Sequence, residues 1–329
     1  GSSSIYLIGC AYYEDGNWKL RQWFAQTPDE ESEILSAFLA FAEPYSYLIH
    51  YNGNTFDLPF LRKKADKYGI SYTLSSKKGL DIFRRITPYK NFLKLPDCKL
   101  KTIESFLGIH REDIYTGGQL IQVYHDYTNS HDYDLYHTLI LHNADDMKGM
   151  LETLPILSYY DLFNCSIKAS KAQTNYYNDM HGVPRKELII RLIFVSPLPV
   201  AISFMGKGCH FKAEGYEGTL VIPIYEEELK YYYANYKDYY YLPLEDTALH
   251  KSIASFVDKD YREQATARNC YTRKISLYLP QWKVMVEPFF KRDYDSKDLF
   301  FELTDDIKKD RQLFSDYASH VLNAIAFQD

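Results

Sequence analysis

The chain opens with two short runs crowded with aromatic and β-branched residues, "IYLIGCAYY" and "NWKLRQWFAQ", separated by Asp15-Gly16. Runs of this kind joined by Asp-Gly predict an antiparallel hairpin. The period then changes. In "TPDEESEILSAFLAFAEPY" apolar residues recur at helical spacing, Thr27 is placed to cap, Pro28 suits the first helical position and Glu30 closes a capping box. "YSYLIHYN" is nearly continuous in apolar residues, which predicts a strand covered on both faces. Asn52-Gly53 ends it before a helix in "TFDLPFLRKKADKYG" that stops at Gly69. "LDIFRRI" predicts a further strand or strand end, and apolar spacing predicts helices in "KLKTIESFLGI" and "DLYHTLILHNADDMKGMLETLPIL". The first half is therefore α/β with a mixed sheet.

The pattern shifts again near Ser170. "ASKAQTNYYNDMHGV" is polar and linker-like, and "LIIRLIFVSPLPVAISFM" is the only long apolar run. Arg191, Pro197 and Pro199 interrupt that run, so it reads as two strands around a turn and not as a membrane span. Alternating, aromatic, turn-rich sequence follows, with helices expected in "EDTALHKSIASFVDKDYREQA" and "DIKKDRQLFSDYASHVLNAIAF". Two domains are expected, an α/β domain over residues 1–165 and a β-rich α+β domain over 166–329.

Composition narrows the function. A formal net charge of −6 over 329 residues excludes a protein that holds a polyanion by bulk positive charge, so any nucleic-acid site must be a local patch. The five cysteines, Cys10, Cys98, Cys165, Cys209 and Cys270, include no C-x-x-C pair, and a reducing cytoplasmic setting is expected.

Two acidic positions carry candidate chemistry. Asp57 lies between Phe56 and Leu58-Pro59-Phe60, in the first turns of a helix that follows a strand. A carboxylate among apolar neighbours needs hydrogen bonds or a metal, and the carboxyl end of a strand in an open α/β sheet is where sites gather. The plainer reading is an acid that favours a helix N-terminus. In "LHNADDMKGMLE", His142 and Asp146 share one helical face, which lets the aspartate bind a metal while the imidazole accepts a proton beside it. Such a pair is also a common surface staple.

Asn52 with Asp57 in "HYNGNTFDLPFL", then "LDIFRR", "LKTIESFLGIHREDI" and "HNADD", resemble in that order the DEDD superfamily of 3′-to-5′ exonucleases on the ribonuclease H-like fold. The YprB-like branch is the nearest, since there a histidine precedes the last aspartate by four residues. The resemblance covers roughly residues 5 to 160. It implies a ribonuclease H-like mixed sheet with flanking helices and a site for two Mg2+ or Mn2+ ions roughly 3.5–4 Å apart. The substrate implied is a nucleic acid with a single-stranded 3′ end. Asp57 and Asp146 are then metal ligands, His142 orients or deprotonates the attacking water, Asn52 supports the loop beside Asp57, and Asp81 has a weaker supporting role.

The family's Asp-x-Glu strand, which supplies the first two carboxylates, does not precede Ile5, and Glu14 and Asp15 sit in the first hairpin turn. The expectation is a chain that starts after that strand, with weak metal binding and little or no activity as it stands. The alternative is a non-catalytic binding or adaptor protein. A basic stretch containing Lys77, Lys78, Arg84, Arg85, Lys90, Lys94, Lys99 and Lys101 is the candidate phosphate-tracking patch, against the alternative of a solvated face. The 32 tyrosines, dense in "KYYYANYKDYYYL", fit a half-buried sheet surface better than a base-stacking platform.

Overall fold

In the computed structural model, which describes residues 4–110 and 117–327, Asp15 (φ 53°) and Gly16 (φ 79°) turn β1 (Leu7–Glu14) back onto β2 (Asn17–Phe24). Thr27 makes no capping bond. The Glu30 carboxylate instead accepts from the Gln26 N–H at 2.7 Å, and a 3-10 turn leads into α1 (Glu31–Ala42). β3 (Tyr47–His50) is followed by α2 (Asp57–Tyr68), which Gly69 ends in the left-handed conformation. "LDIFRRI" holds both the end of β4 (Lys78–Asp81) and the start of α3 (Ile82–Ile86), because the Asp81 side chain accepts from the Arg84 N–H and caps the new helix. Then come α4 (Leu100–Phe106), α5 (Gly117–Ser130) and α6 (Tyr133–Glu152). α5 has no counterpart among the predicted elements. Its buried residues, Leu120, Tyr124 and Tyr127, are mostly tyrosine and read as polar in sequence.

The chain divides into two compact units after Tyr160, within α7 (Ser158–Asn164). In the N-terminal unit the hairpin lies between helices. α1 buries Leu35, Phe38 and Leu39 in one core with Ile5, Ile8 and Ala25, while Leu120, Tyr124, Tyr127 and Leu139 of α5 and α6 pack with Phe24 and Leu7 in a second. β1 pairs only with β2, and β3 pairs in parallel only with β4, so the unit's strands form two separate pairs. Among the described residues no strand joins them. The expectation that β3 is covered on both faces fails for this reason: Tyr47 is 67 % and Ile49 36 % exposed.

The second unit is β-rich. Its main sheet has the order β12-β13-β11-β7-β6-β5, from β5 (Lys168–Asn178), β6 (Pro184–Gly206), β7 (Cys209–Tyr232), β11 (Tyr271–Gln281), β12 (Phe289–Phe290) and β13 (Leu299–Glu302). A smaller sheet joins β8 (Tyr239–Leu242), β9 (Thr247–His250) and β10 (Glu263–Gln264). The stretch expected to be a linker is the edge strand β5. The long apolar run is one strand, not two around a turn. Its ladder with β7 lapses between Ile193 and Leu198 and again before Ile202, which is where Pro197 and Pro199, lacking an N–H, are tolerated.

The first helix expected in this unit shrinks to β9 and α8 (Lys251–Ala254). The last one is broken at Asp310 into α9 (Asp305–Lys309) and α10 (Arg311–Ala326). α10 packs on the sheet through Phe314, Tyr317, Val321, Leu322 and Ile325, and the Tyr317 hydroxyl donates to the Pro280 carbonyl at 2.8 Å. The tyrosines around β7, β8 and β11 mainly pack on one another, as where Tyr233 and Tyr239 stack at 4.5 Å. Tyr241 and Tyr271 both donate to Asp246.

Candidate functional site

β3 and β4 run in register from Tyr47 opposite Lys78 to His50 opposite Asp81, so their carboxyl ends place a histidine and an aspartate side by side. Both are buried, at 9 % and 5 % exposure. Asp81 Oδ1 accepts from the Asn52 N–H at 2.8 Å and the Arg84 N–H at 3.4 Å, which ties the turn at Asn52 (φ 56°) to the start of α3. His50 Nδ1 accepts from the Gly53 N–H at 3.2 Å and lies 3.6 Å from Asp81 Oδ2. A Cβ on Gly53 would come within 2.9 Å of the ring, so this contact requires glycine. Burial pushes the imidazole pKa down, aided by Arg84 and opposed by Asp81 and Asp57, which favours a neutral ring with Nδ1 as acceptor. His50 Nε2 and Asp81 Oδ2 have no hydrogen-bond partner among the described residues.

Asp57 opens α2 from the far side of this turn. It is exposed, as is Phe56 at 65 %, so the expectation of a carboxylate enclosed by apolar neighbours is wrong. Neighbours in sequence at a helix start point in different directions. Its carboxyl pKa is nonetheless raised, chiefly because the adjoining protein mass displaces water, with the Asp81 charge adding and its own backbone N–H and His50 opposing.

A raised folded-state pKa destabilises the fold as pH rises through the interval between the unfolded and folded values. Asp57→Asn is therefore expected to leave the melting temperature at pH 7 unchanged or higher, with the difference fading toward pH 3. A lower melting temperature at pH 7 would show that the carboxylate carries a stabilising contact.

On α6, His142 Nε2 lies 3.3 Å from Asp146 Oδ2, the imidazole mostly buried and the carboxylate half-exposed. Asp145 pairs instead with Lys148 at 3.6 Å. The helix is docked by Gln22 of β2, whose amide donates to the Ile140 carbonyl and to Asn143 Oδ1, both at 2.9 Å. Close approach needs Gly9 on β1, where a Cβ would meet Asn143 Oδ1 at 2.1 Å.

The structure thus brings together His50, Asp57 and Asp81 as one group and His142 with Asp146 as another. Among the described residues no set of three or more His, Cys, Asp or Glu side chains is arranged to hold a metal ion.

The basic candidates are dispersed. Arg84 stands at the carboxyl end of β4, 3.9 Å from Asp81. Lys77 and Lys78 lie at the opposite end of that strand, where Lys77 donates to the Glu43 carbonyl and Lys78 sits 5.4 Å from the exposed Tyr47 ring. Arg85 stacks 4.2 Å over Tyr160. His50 is absent from the candidates read in sequence. Its signal was its place at the end of a strand, two residues before Asn52-Gly53.

The helices α1, α5 and α6 around a hairpin, a parallel strand pair with polar side chains at its carboxyl ends, and the His142–Asp146 helix all fall within the stretch that matches a known family. Residues 1–155 match the model of the RNase_H superfamily, RNase_H_2. The N-terminal unit is ribonuclease H-like. No curated protein matches the chain, and no solved structure does. A ribonuclease H-like fold implies a nucleic-acid substrate and chemistry of the nuclease type. No helix among the described residues is long and apolar enough to cross a membrane.

Proposed function

We propose that the ribonuclease H-like unit acts on single-stranded nucleic acid at the 3′ end, and that Asp57, His142 and Asp146 are its reactive groups. The observation that carries this reading is the His142–Asp146 pair at 3.3 Å on α6, inside the stretch similar to the RNase_H superfamily. In this reading His142 takes the proton of the attacking water and Asp146 orients the ring. Asn52, held by Asp81, fixes the turn before Asp57, and Arg84 beside it meets a phosphate. Divalent metal, which would stabilise charge on the scissile phosphate, needs more carboxylates than these two. The chain is therefore expected to bind nucleic acid well and to cut it weakly or not at all.

The test is incubation of a 5′-labelled single-stranded oligonucleotide with the chain in manganese, reading both binding and length. Binding that weakens steeply with salt and survives chelator is expected. Any residual shortening should proceed from the 3′ end and disappear in Asp57→Asn and Asp146→Asn. Robust magnesium-dependent degradation would overturn the weak-site part of the proposal, and absence of binding at low salt would overturn the whole of it. A non-catalytic binding module is the second reading, favoured by the exposure of Asp57 at the start of α2; it predicts that neither substitution changes anything measurable with nucleic acid.

A further inference from the structure

We propose that the C-terminal unit carries a phosphate-binding cavity where β5 meets the junction of α9 and α10. The cavity holds about 380 Å³ and is lined by Lys171 on the strand side and Lys308, Lys309 and Arg311 on the helix side, with no carboxylate in the lining. That size lies at the lower end of small-ligand sites. In a chain of formal net charge −6, four cations around one hollow run against the overall sign.

Two local features build the site. The register of β5 against β6 skips between Ala169 and Lys171, a bulge at Ser170. There the Ala169 N–H donates to Ser315 Oγ of α10 at 3.0 Å, and Ser170 Oγ donates to the Arg191 carbonyl at 3.2 Å. A bulge re-aims the side chains beside it, and here it pins the strand to α10 while Lys171 borders the cavity. On the other side Asp310 ends α9 and caps α10, its carboxylate accepting from the Leu313 N–H at 2.9 Å. The break lets Lys309 and Arg311, on either side of Asp310, reach the same hollow. Phe314, 4 % exposed, closes the floor.

Of the nearby acids, Asp305 is engaged at 2.9 Å by Lys308, one cation of the lining itself, and Asp310 by the helix start. Among the described residues no ion pair engages Lys171, Lys309 or Arg311. A phosphate matches this set best: it carries more than one charge, accepts from several donors at once, and suits the guanidinium fork. The phosphate can belong to a free nucleotide or pyrophosphate, or to a nucleic-acid backbone. The proposal is independent of the reading of the N-terminal unit.

The test titrates the intact chain with pyrophosphate by calorimetry and with a fluorescent oligothymidylate by anisotropy, comparing the parent with Lys171→Ala/Lys309→Ala/Arg311→Gln. All three residues are exposed, so the variant should melt like the parent. Pyrophosphate affinity is expected to fall at least about tenfold, the order of one lost charge-assisted contact or more. A parallel loss of oligonucleotide affinity, with pyrophosphate displacing the oligonucleotide, assigns the site to the nucleic-acid backbone. Unchanged oligonucleotide binding assigns it to a free phosphate ligand. A parent that binds neither probe, or a variant that binds both as the parent does, overturns the proposal. Should the triple variant fail to fold, Lys171→Glu alone must weaken pyrophosphate binding, and unchanged binding overturns it equally.

Discussion

Lys64→Met is expected to destabilise the N-terminal unit by about 3–5 kcal/mol at pH 7, the usual cost of leaving one partner of a buried ion pair alone. Lys64 Nζ lies 2.6 Å from Glu31 Oε1, with the two side chains 6 % and 2 % exposed. Glu31 also accepts from the Ile5 N–H at 2.6 Å and from the Tyr68 hydroxyl, so one carboxylate ties the chain before β1 to α1 and α2. Burial alone would push its carboxyl pKa up, but the bonds from Lys64, Tyr68 and Ile5 outweigh burial and hold it below the ordinary value.

A lowered folded-state pKa contributes stability that is fully present above the unfolded value of about 4.3 and is lost as pH falls through the folded one. The parent should therefore lose melting temperature on acidification below that point. Without Lys64 the unpaired carboxyl titrates higher, so the gap between variant and parent should narrow in acid. Glu31→Gln combined with Lys64→Met, which removes both charges but keeps an acceptor for the Ile5 N–H and the Tyr68 hydroxyl, should recover much of the loss. Thermal melts at pH 7 and pH 4 check all three, and a single variant that melts like the parent at pH 7 would remove this pair from the account of the core.

Gly9→Val is expected to cost about 1–3 kcal/mol from overpacking, and to shift α6, which carries His142 and Asp146. The added Cβ would sit 2.1 Å from Asn143 Oδ1 and 2.8 Å from Met147 Sδ. Asn143 must move, which breaks its bond from Gln22 and takes about a further 1 kcal/mol. Asn143→Ala should then be less harmful in the Gly9→Val background than in the parent. A double-mutant cycle by chemical denaturation measures that coupling. Additive effects would mean that the close approach of β1 to α6 is not what Gly9 serves.

These two sites show what the sequence could and could not disclose. The hairpin was legible because Asp15-Gly16 is a local turn signal, and α2 and α6 because their apolar spacing and, for α2, Gly69 are local too. His142 and Asp146 were legible as a pair because helical geometry fixes residues four apart. The His50–Asp81 contact was not, since it depends on the parallel register of β3 with β4, which pairs residues 31 positions apart. Asp57 misled because apolar neighbours in sequence at a helix start do not enclose a side chain. Lys77 and Arg84 looked like one patch because β4 between them separates their ends by a length that linear reading ignores. The run through Pro197 and Pro199 looked broken because a missing ladder bond is visible in sequence, whereas the continuation of the strand beyond it is not. The cavity at β5 was hidden for a similar reason: its cations come from segments far apart in the chain, and "IKKDRQ" alone reads as a solvated helix.

The most direct test of the central claim is photo-crosslinking of a single-stranded oligonucleotide, carrying a photoreactive base near its 3′ end, to the intact chain at low salt, with the modified peptides identified by mass spectrometry. Crosslinks are expected in the segment from Asn52 to Asp57, near Arg84, and on α6 around His142 and Asp146. Crosslinks confined to other surfaces of the ribonuclease H-like unit, or to the C-terminal unit alone, would contradict it.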